Sequence, residues 1–391
     1  MHLSISPSDP IATLPEGALP KGLRLTASDR PGVAQPVPVR DIPARPWVRM
    51  GTVAFLLVAL LMGAWEWNAR ASLGLRAGDL DDSPQAWAEQ RRIASTAPVV
   101  IVGDSRILFD TDLDRFERIT GVRPVQASIV GTNGRTLLEE MANDRRFNGL
   151  LIVGLADLSY FRPAGIGVGA PYLHNRDRNR LPSQVSGLII DRWLQRRLAF
   201  LDSEYRLSTQ VKQLDHGTRA GAKSPYEDVW KLSETFDGRQ YFMWDRIERD
   251  PYLRGHARHA WDLFKGPPLP APIAAAVVKR SAEAVRRIRA RGGEVIFIRP
   301  PSAPELRRIE EGRLPRARGW DLLLAGTKAK GIHADDLPQA QQLTLPEWSH
   351  LNRRCATVFT DAYVRRLTEL SPRLKLRPDA PPPLTRSDCV S

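Results

Sequence analysis

The sequence predicts an α/β domain built on a mostly parallel sheet. Three short runs are apolar throughout: VVIVG at 99–103, LLIVG at 150–154 and VIFIR at 295–299, where only the final Arg is polar. Runs of this length without polar alternation are typical of parallel strands that are buried on both faces. Helical patterns separate the three runs, and alternation of strands with helices favours a parallel sheet.

The chain begins with a segment that predicts no packed structure. Residues 1–46 contain many Pro, Ser and Gly and no sustained apolar period, so we expect a disordered cytoplasmic tail. Met50 to Trp65 then carry no charge, with Trp47 and Trp67 on either side. Because a span needs about 20 residues and Trp favours the membrane interface, residues 47–67 are predicted to form a transmembrane helix.

The basic residues before this span favour a cytoplasmic N-terminus, which would place the rest of the chain outside a bacterial inner membrane. A cleaved signal peptide is the alternative, since Ala69-Arg70-Ala71 has the small-x-small form of a cleavage site. The long preceding segment and the position of Glu66 favour a retained anchor. Both interpretations put the following domain in the periplasm or outside the cell.

The remaining chain is divided by pattern. Residues 68–97 are predicted to be a polar stalk, 98–370 the α/β domain with a helical insertion at about 160–270, and 371–391 a second disordered tail. The other expected elements are helices over 106–119, 135–146, 185–201, 273–288 and 353–369, strands over 124–130 and near Ile332, and a weaker strand signal near Leu343.

Composition excludes several classes of protein. A hydrophobic content of 42% excludes disorder along the whole chain. The net charge of +13 comes mainly from scattered arginines that are not interleaved with aromatic residues, so no nucleic-acid partner is expected. Cys355 and Cys389 are the only cysteines, too few for a disulfide framework or a Cys-based zinc site. No metal and no cofactor are predicted.

Ser105 stands at a turn suited to a nucleophile. Gly103-Asp104-Ser105-Arg106 follows the first apolar run directly and precedes a predicted helix. A sharp strand-to-helix turn exposes a hydroxyl above the sheet and directs helical N–H groups at the group that reacts there. An ordinary helix cap is the alternative explanation of Asp-Ser at this place.

A base and a carboxylate occur together near the other end of the domain. Pro346-Glu347-Trp348-Ser349-His350-Leu351-Asn352 precedes the last predicted helix. A serine nucleophile needs a base within hydrogen-bond reach, and the base needs a carboxylate to fix its tautomer. Glu347 and His350 lie three residues apart and can supply both, although a His before a helix can also be a solvated cap.

A GDS turn near the start, an acidic-x-x-His near the end and an α/β body between them resemble the SGNH hydrolases, or GDSL superfamily, over about residues 98–370 outside the insertion. The resemblance implies a flavodoxin-like three-layer α/β/α sandwich. It also implies that Ser105 is the nucleophile, His350 the base and Glu347 the orienting carboxylate, in a position where the family usually has Asp.

The resemblance further implies an oxyanion hole. The Ser105 amide and Gly131 would contribute backbone donors, with Ser128 as the alternative match to the family's glycine, and Asn133 is a candidate for a further donor. In the third block of the family, Gly-x-Asn-Asp, the sequence has Gly154-Leu155-Ala156-Asp157, so alanine replaces the amide side chain. Losing one oxyanion donor costs roughly 10²–10³ in rate.

Several other side chains are candidates for substrate contact. Arg106 and Arg299 lie at the sheet end where α/β ligands bind, and Arg299 could instead pair with Asp335 or Asp336. The insertion contains Tyr241, Trp244 and Trp261, which could pack in the core or stack on sugar rings.

The expected function is a membrane-anchored serine esterase or O-acyltransferase that acts on acyl groups of a cell-envelope glycan, as membrane-tethered proteins of this type do beside a membrane-bound O-acyltransferase. The alternative is a catalytically silent scaffold that binds a glycan or such a partner.

Overall fold

A parallel sheet forms the centre of the larger of two units in the chain. The computed structural model describes residues 23–25, 36–38, 45–162, 170–175, 181–214 and 231–390. The chain divides into Met1–Gly63 and Ala64–Ser391. The prediction of a disordered tail over 1–46 falls mostly outside the described residues, but Leu23–Leu25 and Pro36–Pro38 pair as antiparallel strands, which differs from that expectation.

The strands are β1 Leu23–Leu25, β2 Pro36–Pro38, β3 Val99–Val102, β4 Val125–Gln126, β5 Leu150–Gly154, β6 Ser233–Phe236, β7 Gln240–Met243, β8 Glu294–Arg299 and β9 Lys330–His333. The first helices are α1 Trp47–Ala71, α2 Pro84–Ala94, α3 Ser105–Phe109, α4 Leu113–Thr120, α5 Gly134–Asn143, α6 Asp157–Tyr160, α7 Ala170–Asn175, α8 Pro182–Gln195 and α9 Leu207–Leu214. The remaining helices are α10 Asp245–Arg249, α11 Pro251–His259, α12 Ala271–Ala290, α13 Pro304–Arg313, α14 Trp320–Thr327, α15 Arg353–Leu370 and α16 Ser387–Val390.

The predicted α/β class is confirmed. Five strands pair in the order β4-β3-β5-β8-β9, and every pair is parallel. Alternate residues of the strands enter two separate apolar clusters, for example Val100 and Val102 in one and Val99 and Ile101 in the other. Helices α5, α12 and α14 contribute to the first cluster, whereas α4 and α15 contribute to the second, so both faces of the sheet are covered.

Some predicted boundaries were wrong. The helix expected over 106–119 is divided into α3 and α4, because the side chain of Asp112 caps a new helix by accepting a hydrogen bond from Arg115 N at 2.8 Å. Leu343 lies in a loop rather than in a strand. The α1 helix extends beyond the predicted 47–67, and it is long and apolar enough to cross a membrane.

The predicted stalk at 68–97 is wrong over most of its length. Leu75 and Leu80 are buried, and Trp87 on α2 is completely buried, with its indole N–H donating to Ala127 O at 2.9 Å. The sequence did not predict this packing, because the first turns of α2 contain only Ala86, Trp87 and Ala88 as apolar residues. This is a weak apolar pattern among charged residues.

The insertion at 160–270 is not purely helical. Its described part contains helices α7 to α11 but also the antiparallel hairpin of β6 and β7. Tyr241 and Trp244 belong to a buried apolar cluster with Phe109 of α3, so of the two alternatives, core packing is the one observed for them. The hairpin therefore packs against the helix that carries Ser105.

The predicted disordered tail at 371–391 is also wrong for the described residues. Leu374 is buried, and Arg115 Nη2 donates to Pro382 O at 2.7 Å. A disulfide joins Cys355 on α15 to Cys389. Pro-rich composition indicated disorder, but side-chain donors on α4 and α15 bind the backbone carbonyls of this strap, residues 371–389, and hold it in place.

We expect Trp87→Ala to lower the free energy of unfolding by about 3–5 kcal/mol, because it removes a completely buried indole and its hydrogen bond. Ile93→Ala on the same helix is the matched control. Ile93 is half-exposed, so its change should stay within about 0.5 kcal/mol. Denaturant unfolding of the detergent-solubilised chain measures both, and equal small effects would contradict the packing of α2.

Candidate active site

The turn after β3 places Ser105 at the carboxyl end of the sheet. A Cβ atom on Gly103 would lie 2.6 Å from the carbonyl oxygen of Gly154, so glycine lets the ends of β3 and β5 approach closely. Asp104 caps α3 by accepting a hydrogen bond from Arg106 N at 3.1 Å, and its other oxygen accepts from Ala156 N at 2.8 Å. Burial raises the pKa of this carboxyl. One side chain thus ties the serine turn to the end of β5.

The structure brings the three predicted catalytic side chains together. Ser105 Oγ lies 2.9 Å from His350 Nε2, and His350 Nδ1 lies 3.0 Å from Glu347 Oε1. Both distances fall within the range of about 2.6–3.2 Å that such a relay needs. If Nδ1 donates its hydrogen to Glu347, Nε2 is left as the acceptor for the serine hydroxyl.

A tight turn holds the base and the carboxylate in register. Glu347 Oε1 also accepts from the backbone N–H of His350 at 2.6 Å and of Ser349 at 3.3 Å. Trp348 between them has a φ of 81°, a left-handed conformation that bulky residues rarely adopt. This backbone lets a three-residue separation bring a carboxylate under its own histidine. The imidazole also stacks on Phe109 with ring centroids 4.3 Å apart.

Trp261 completes the surroundings of Glu347. Its indole N–H is shared between Glu347 O at 2.5 Å and Glu347 Oε2 at 2.7 Å, and its ring meets His350 edge-on with centroids 5.5 Å apart. Trp261 lies in the 3-10 helix Ala260–Phe264 of the insertion. The insertion therefore supplies a hydrogen bond to the carboxylate, a role that the alternatives of core packing or sugar stacking did not include.

Ser105 and Gly131 line the same cavity, and both carry a backbone N–H group. Ser105, Gly131 and Ala156 line one cavity of about 120 Å³. Ser105 is the first residue of α3, where helical N–H groups have no intrahelical acceptor. Within the described residues, neither the Ser105 N–H nor the Gly131 N–H donates to any acceptor. Both are therefore available to bind an oxyanion.

Asn133 as an oxyanion donor stays a prediction. Its side-chain oxygen caps α5 by accepting from Thr136 N and Thr136 Oγ1, both at 2.8 Å, and the residue does not line the described cavity. Ala156 does line the cavity and contributes a methyl group there. The third donor of the family pattern has no counterpart at this position.

The prediction that Arg299 binds substrate is wrong. Its guanidinium is 2% exposed and pairs with Asp157 at 2.9 Å and with Glu310 at 2.6 Å. The alternative pairing with Asp335 or Asp336 is also not observed. A buried arginine needs carboxylate partners to offset its desolvation, and these two carboxylates meet that need.

Arg106 belongs to the same buried network. Its Nε donates to Ser349 Oγ at 3.0 Å, and its Nη2 pairs with the other oxygen of Glu310. Its Nη1 is buried without a hydrogen-bond partner in the described structure, and the residue borders the cavity. Arg106 therefore stabilises the serine turn through buried partners, and one of its N–H donors is unused. Its guanidinium does not face solvent as a substrate-binding group.

Asp110 is a further residue that sequence reasoning missed. It ends α3, is completely buried, and accepts a hydrogen bond from Leu351 N at 2.8 Å. Burial raises the pKa of its carboxyl well above the ordinary value. The contact joins the serine helix to the histidine turn, and the only signal for it in the sequence was an Asp five residues after Ser105. Among the described residues, no group of His, Cys, Asp and Glu is arranged to hold a metal ion.

A double-mutant cycle tests the hydrogen bond from Trp261 to the buried carboxylate. Trp261→Phe keeps an aromatic ring but removes the donor, and Glu347→Gln removes the charge. We expect a coupling free energy of about 1–3 kcal/mol in unfolding experiments, because the bond is charge-assisted. Additive effects of the two substitutions would contradict the contact.

Comparison with known proteins does not assign this chain to a family. The chain matches no family model, no curated protein and no solved structure. The chemistry that can be assigned to the site therefore depends on its own residues.

Proposed function

We propose that this chain is a membrane-anchored, SGNH-like serine esterase or O-acyltransferase that acts on acyl groups of a cell-envelope glycan. One observation carries the proposal: Ser105, His350 and Glu347 are linked by hydrogen bonds of 2.9 and 3.0 Å although 245 residues separate the serine from the histidine. A hydroxyl, an imidazole and a buried carboxylate linked in this order are typical of nucleophilic catalysis.

The sheet supports the finer fold assignment within this proposal. Numbered within the sheet, the strand order is 2-1-3-4-5, the order of flavodoxin-like folds. Apolar clusters on both faces agree with a three-layer α/β/α sandwich. In such sheets, ligands bind beyond the carboxyl ends of the first and third strands. Here these are β3 and β5, which lead to Ser105 and Ala156.

In the proposed mechanism, Ser105 Oγ attacks the carbonyl carbon of an acyl ester while its proton moves to His350 Nε2. The negative charge on the carbonyl oxygen is bound by the N–H groups of Ser105 and Gly131. His350 then gives its proton to the departing alkoxide, and an acyl-serine remains. Water or a sugar hydroxyl next attacks the acyl-serine while its proton moves to His350, and His350 returns that proton to Ser105 Oγ as the bond from Oγ to the acyl carbon breaks. Glu347 stabilises the imidazolium in both halves.

The cavity suggests the size of the acyl group. Its volume of about 120 Å³ is well below the roughly 300–1,000 Å³ of sites for drug-sized ligands. Leu263, Phe264 and Trp261 provide apolar lining. A short acyl chain such as acetyl fits this description better than a fatty acyl chain does.

The proposed location is the periplasmic or extracellular side of a bacterial inner membrane. Helix α1 supports an anchor, and the basic residues before it favour a cytoplasmic N-terminus. The Cys355–Cys389 disulfide also supports an oxidising compartment. A membrane-bound O-acyltransferase is the proposed partner, because it could deliver the acyl group across the membrane.

A catalytically silent scaffold is the second candidate, and Ala156 favours it. A missing amide donor would reduce turnover by roughly 10²–10³ while leaving the binding cavity intact. The two candidates differ in whether Ser105 reacts.

We expect a fluorophosphonate probe to label Ser105 in the detergent-solubilised chain, because the adjacent imidazole activates its hydroxyl. Ser105→Ala and His350→Ala should abolish labelling. Ser159→Ala is the matched control, since Ser159 lines the same cavity but donates its hydroxyl to Thr132 O rather than to an imidazole of the described residues. Peptide mapping by mass spectrometry identifies the site. An unlabelled Ser105 in a folded protein would favour the scaffold.

We expect Ala156→Asn to raise hydrolysis of small acetyl esters by roughly 10²–10³, because it restores a donor beside the oxyanion. Ala156→Leu is the control, because leucine adds similar volume without a donor. Initial rates with an aryl acetate measure both variants. Equal effects of Asn and Leu would show that the third donor is not what limits the rate.

A further inference from the structure

Helix α8 has its polarity reversed relative to an ordinary surface helix. Its polar residues face the domain: Gln195 is buried, and its side-chain oxygen accepts a hydrogen bond from Asp81 N at 2.8 Å. Arg192 pairs with Glu89 of α2 at 2.8 Å. Surface helices of soluble domains normally bury an apolar stripe and expose the polar one.

The outward side of the same helix carries four large apolar side chains, beside the exposed Ser183 and Ser186. We call it the α8 face; it consists of Val185, Ile189, Ile190 and Trp193, whose exposed fractions range from 47% to 64%. The spacing of these residues places them on one side of a helix. Large exposed apolar patches mark contact with a protein or a membrane. Packing within the described domain leaves this face uncovered.

The chain that follows α8 is fastened to the end of the proposed membrane helix. The last turns of α1, from Ala64, belong to the same unit as α8. The carboxylate of Glu66 accepts hydrogen bonds from Ala199 N and Phe200 N, both at 3.0 Å. The rings of Trp65 and Phe200 also meet, with centroids 6.3 Å apart. Three residues separate the end of α8 from this attachment, so α8 ends near the level at which α1 would leave the bilayer.

The residues around this attachment suit the interface between lipid and water. Arg197 lies over the ring of Trp193, 4.2 Å from its centroid, and the side chain of Arg70 donates to Arg197 O at 3.2 Å. Trp67 is 74% exposed. Exposed tryptophan and arginine side chains favour the headgroup layer, where an apolar ring and a charge can both be accommodated.

From this juxtaposition we infer that the α8 face lies in the interfacial layer of the membrane that α1 crosses, as a second, amphipathic membrane contact. The inference rests on the proposed membrane anchor, but it does not depend on the proposed chemistry. A single spanning helix leaves a domain free to rotate about the helix axis. A second contact would hold the domain, and the cavity beside Ser105, in one orientation to the lipid surface.

The test uses the full chain in nanodiscs of phosphatidylglycerol and phosphatidylcholine, with single cysteines carrying a nitrobenzoxadiazole fluorophore. Ile189→Cys reports on the α8 face, Leu57→Cys on the proposed span, and Leu376→Cys on an exposed apolar position in the strap. The native cysteines are joined in a disulfide and do not compete for the label. Spin-labelled lipid should quench most of the fluorescence at positions 189 and 57 and little of it at 376.

The other outcomes separate the failures. Quenching at 57 without quenching at 189 would overturn the second contact and leave the anchor standing, whereas no quenching at either position would overturn both. Shielding of position 189 from iodide in native membrane vesicles but not in nanodiscs would mean that a protein covers the face, and would also overturn the inference. Trp193→Glu should reduce lipid quenching at 189 while leaving it unchanged at 57.

Discussion

The burial of one carboxylate is the constraint on which the site depends. Glu347 has no exposed surface, and an ionised carboxylate removed from water is costly unless donors replace the lost hydration. Four N–H groups do so, from the ring and backbone of His350, from Ser349 and from Trp261. Three of these donors belong to the histidine turn and the fourth to the insertion. The left-handed Trp348 and the 3-10 helix Ala260–Phe264 are the elements that place these donors around the carboxylate.

A second set of buried charges links the ends of the strands that carry the site. Glu310 lies between Arg106 and Arg299, and Arg299 also binds Asp157, so two arginines and two carboxylates alternate without solvent. Arg106 and Asp157 follow strands β3 and β5 closely, and Arg299 ends β8. The network therefore joins the ends of three neighbouring strands through side chains, at the place where the backbone hydrogen bonds of the sheet have ended. Removing Arg299 or Glu310, the two inner members, would leave a buried charge without a partner in this network.

The sequence was informative where the chemistry is local or where topology brings strand ends together. Ser105 and the pair of Glu347 and His350 could be predicted because parallel strands end at the same edge of the sheet and because nucleophile, base and carboxylate have recognisable spacing. Trp261 could not be predicted as a partner of Glu347, because that contact joins an insertion to a loop 86 residues away. Arg299 was misassigned because sequence alone does not show which carboxylates fold onto a charged strand end.

The same limit explains the errors at the two edges of the domain. Composition indicated a stalk at 68–97 and a disordered tail at 371–391, since both segments are rich in polar residues or proline. Their order comes from a few long-range contacts, such as Trp87 with Ala127 and Arg115 with Pro382. A few specific contacts can order a segment whose average composition predicts disorder. Average composition does not reveal such contacts.

The disulfide between Cys355 and Cys389 affects how preparations of this protein behave. It closes a covalent loop that contains most of α15 and the strap. Cys355 lies five residues after His350 in the sequence. Material produced in a reducing cytoplasm would hold the strap by hydrogen bonds alone, whereas exported material would hold it covalently. Two samples of identical sequence could then differ in protease resistance near the C-terminus and in the rigidity of the histidine turn. The redox history of a sample is therefore a variable to control before activities are compared.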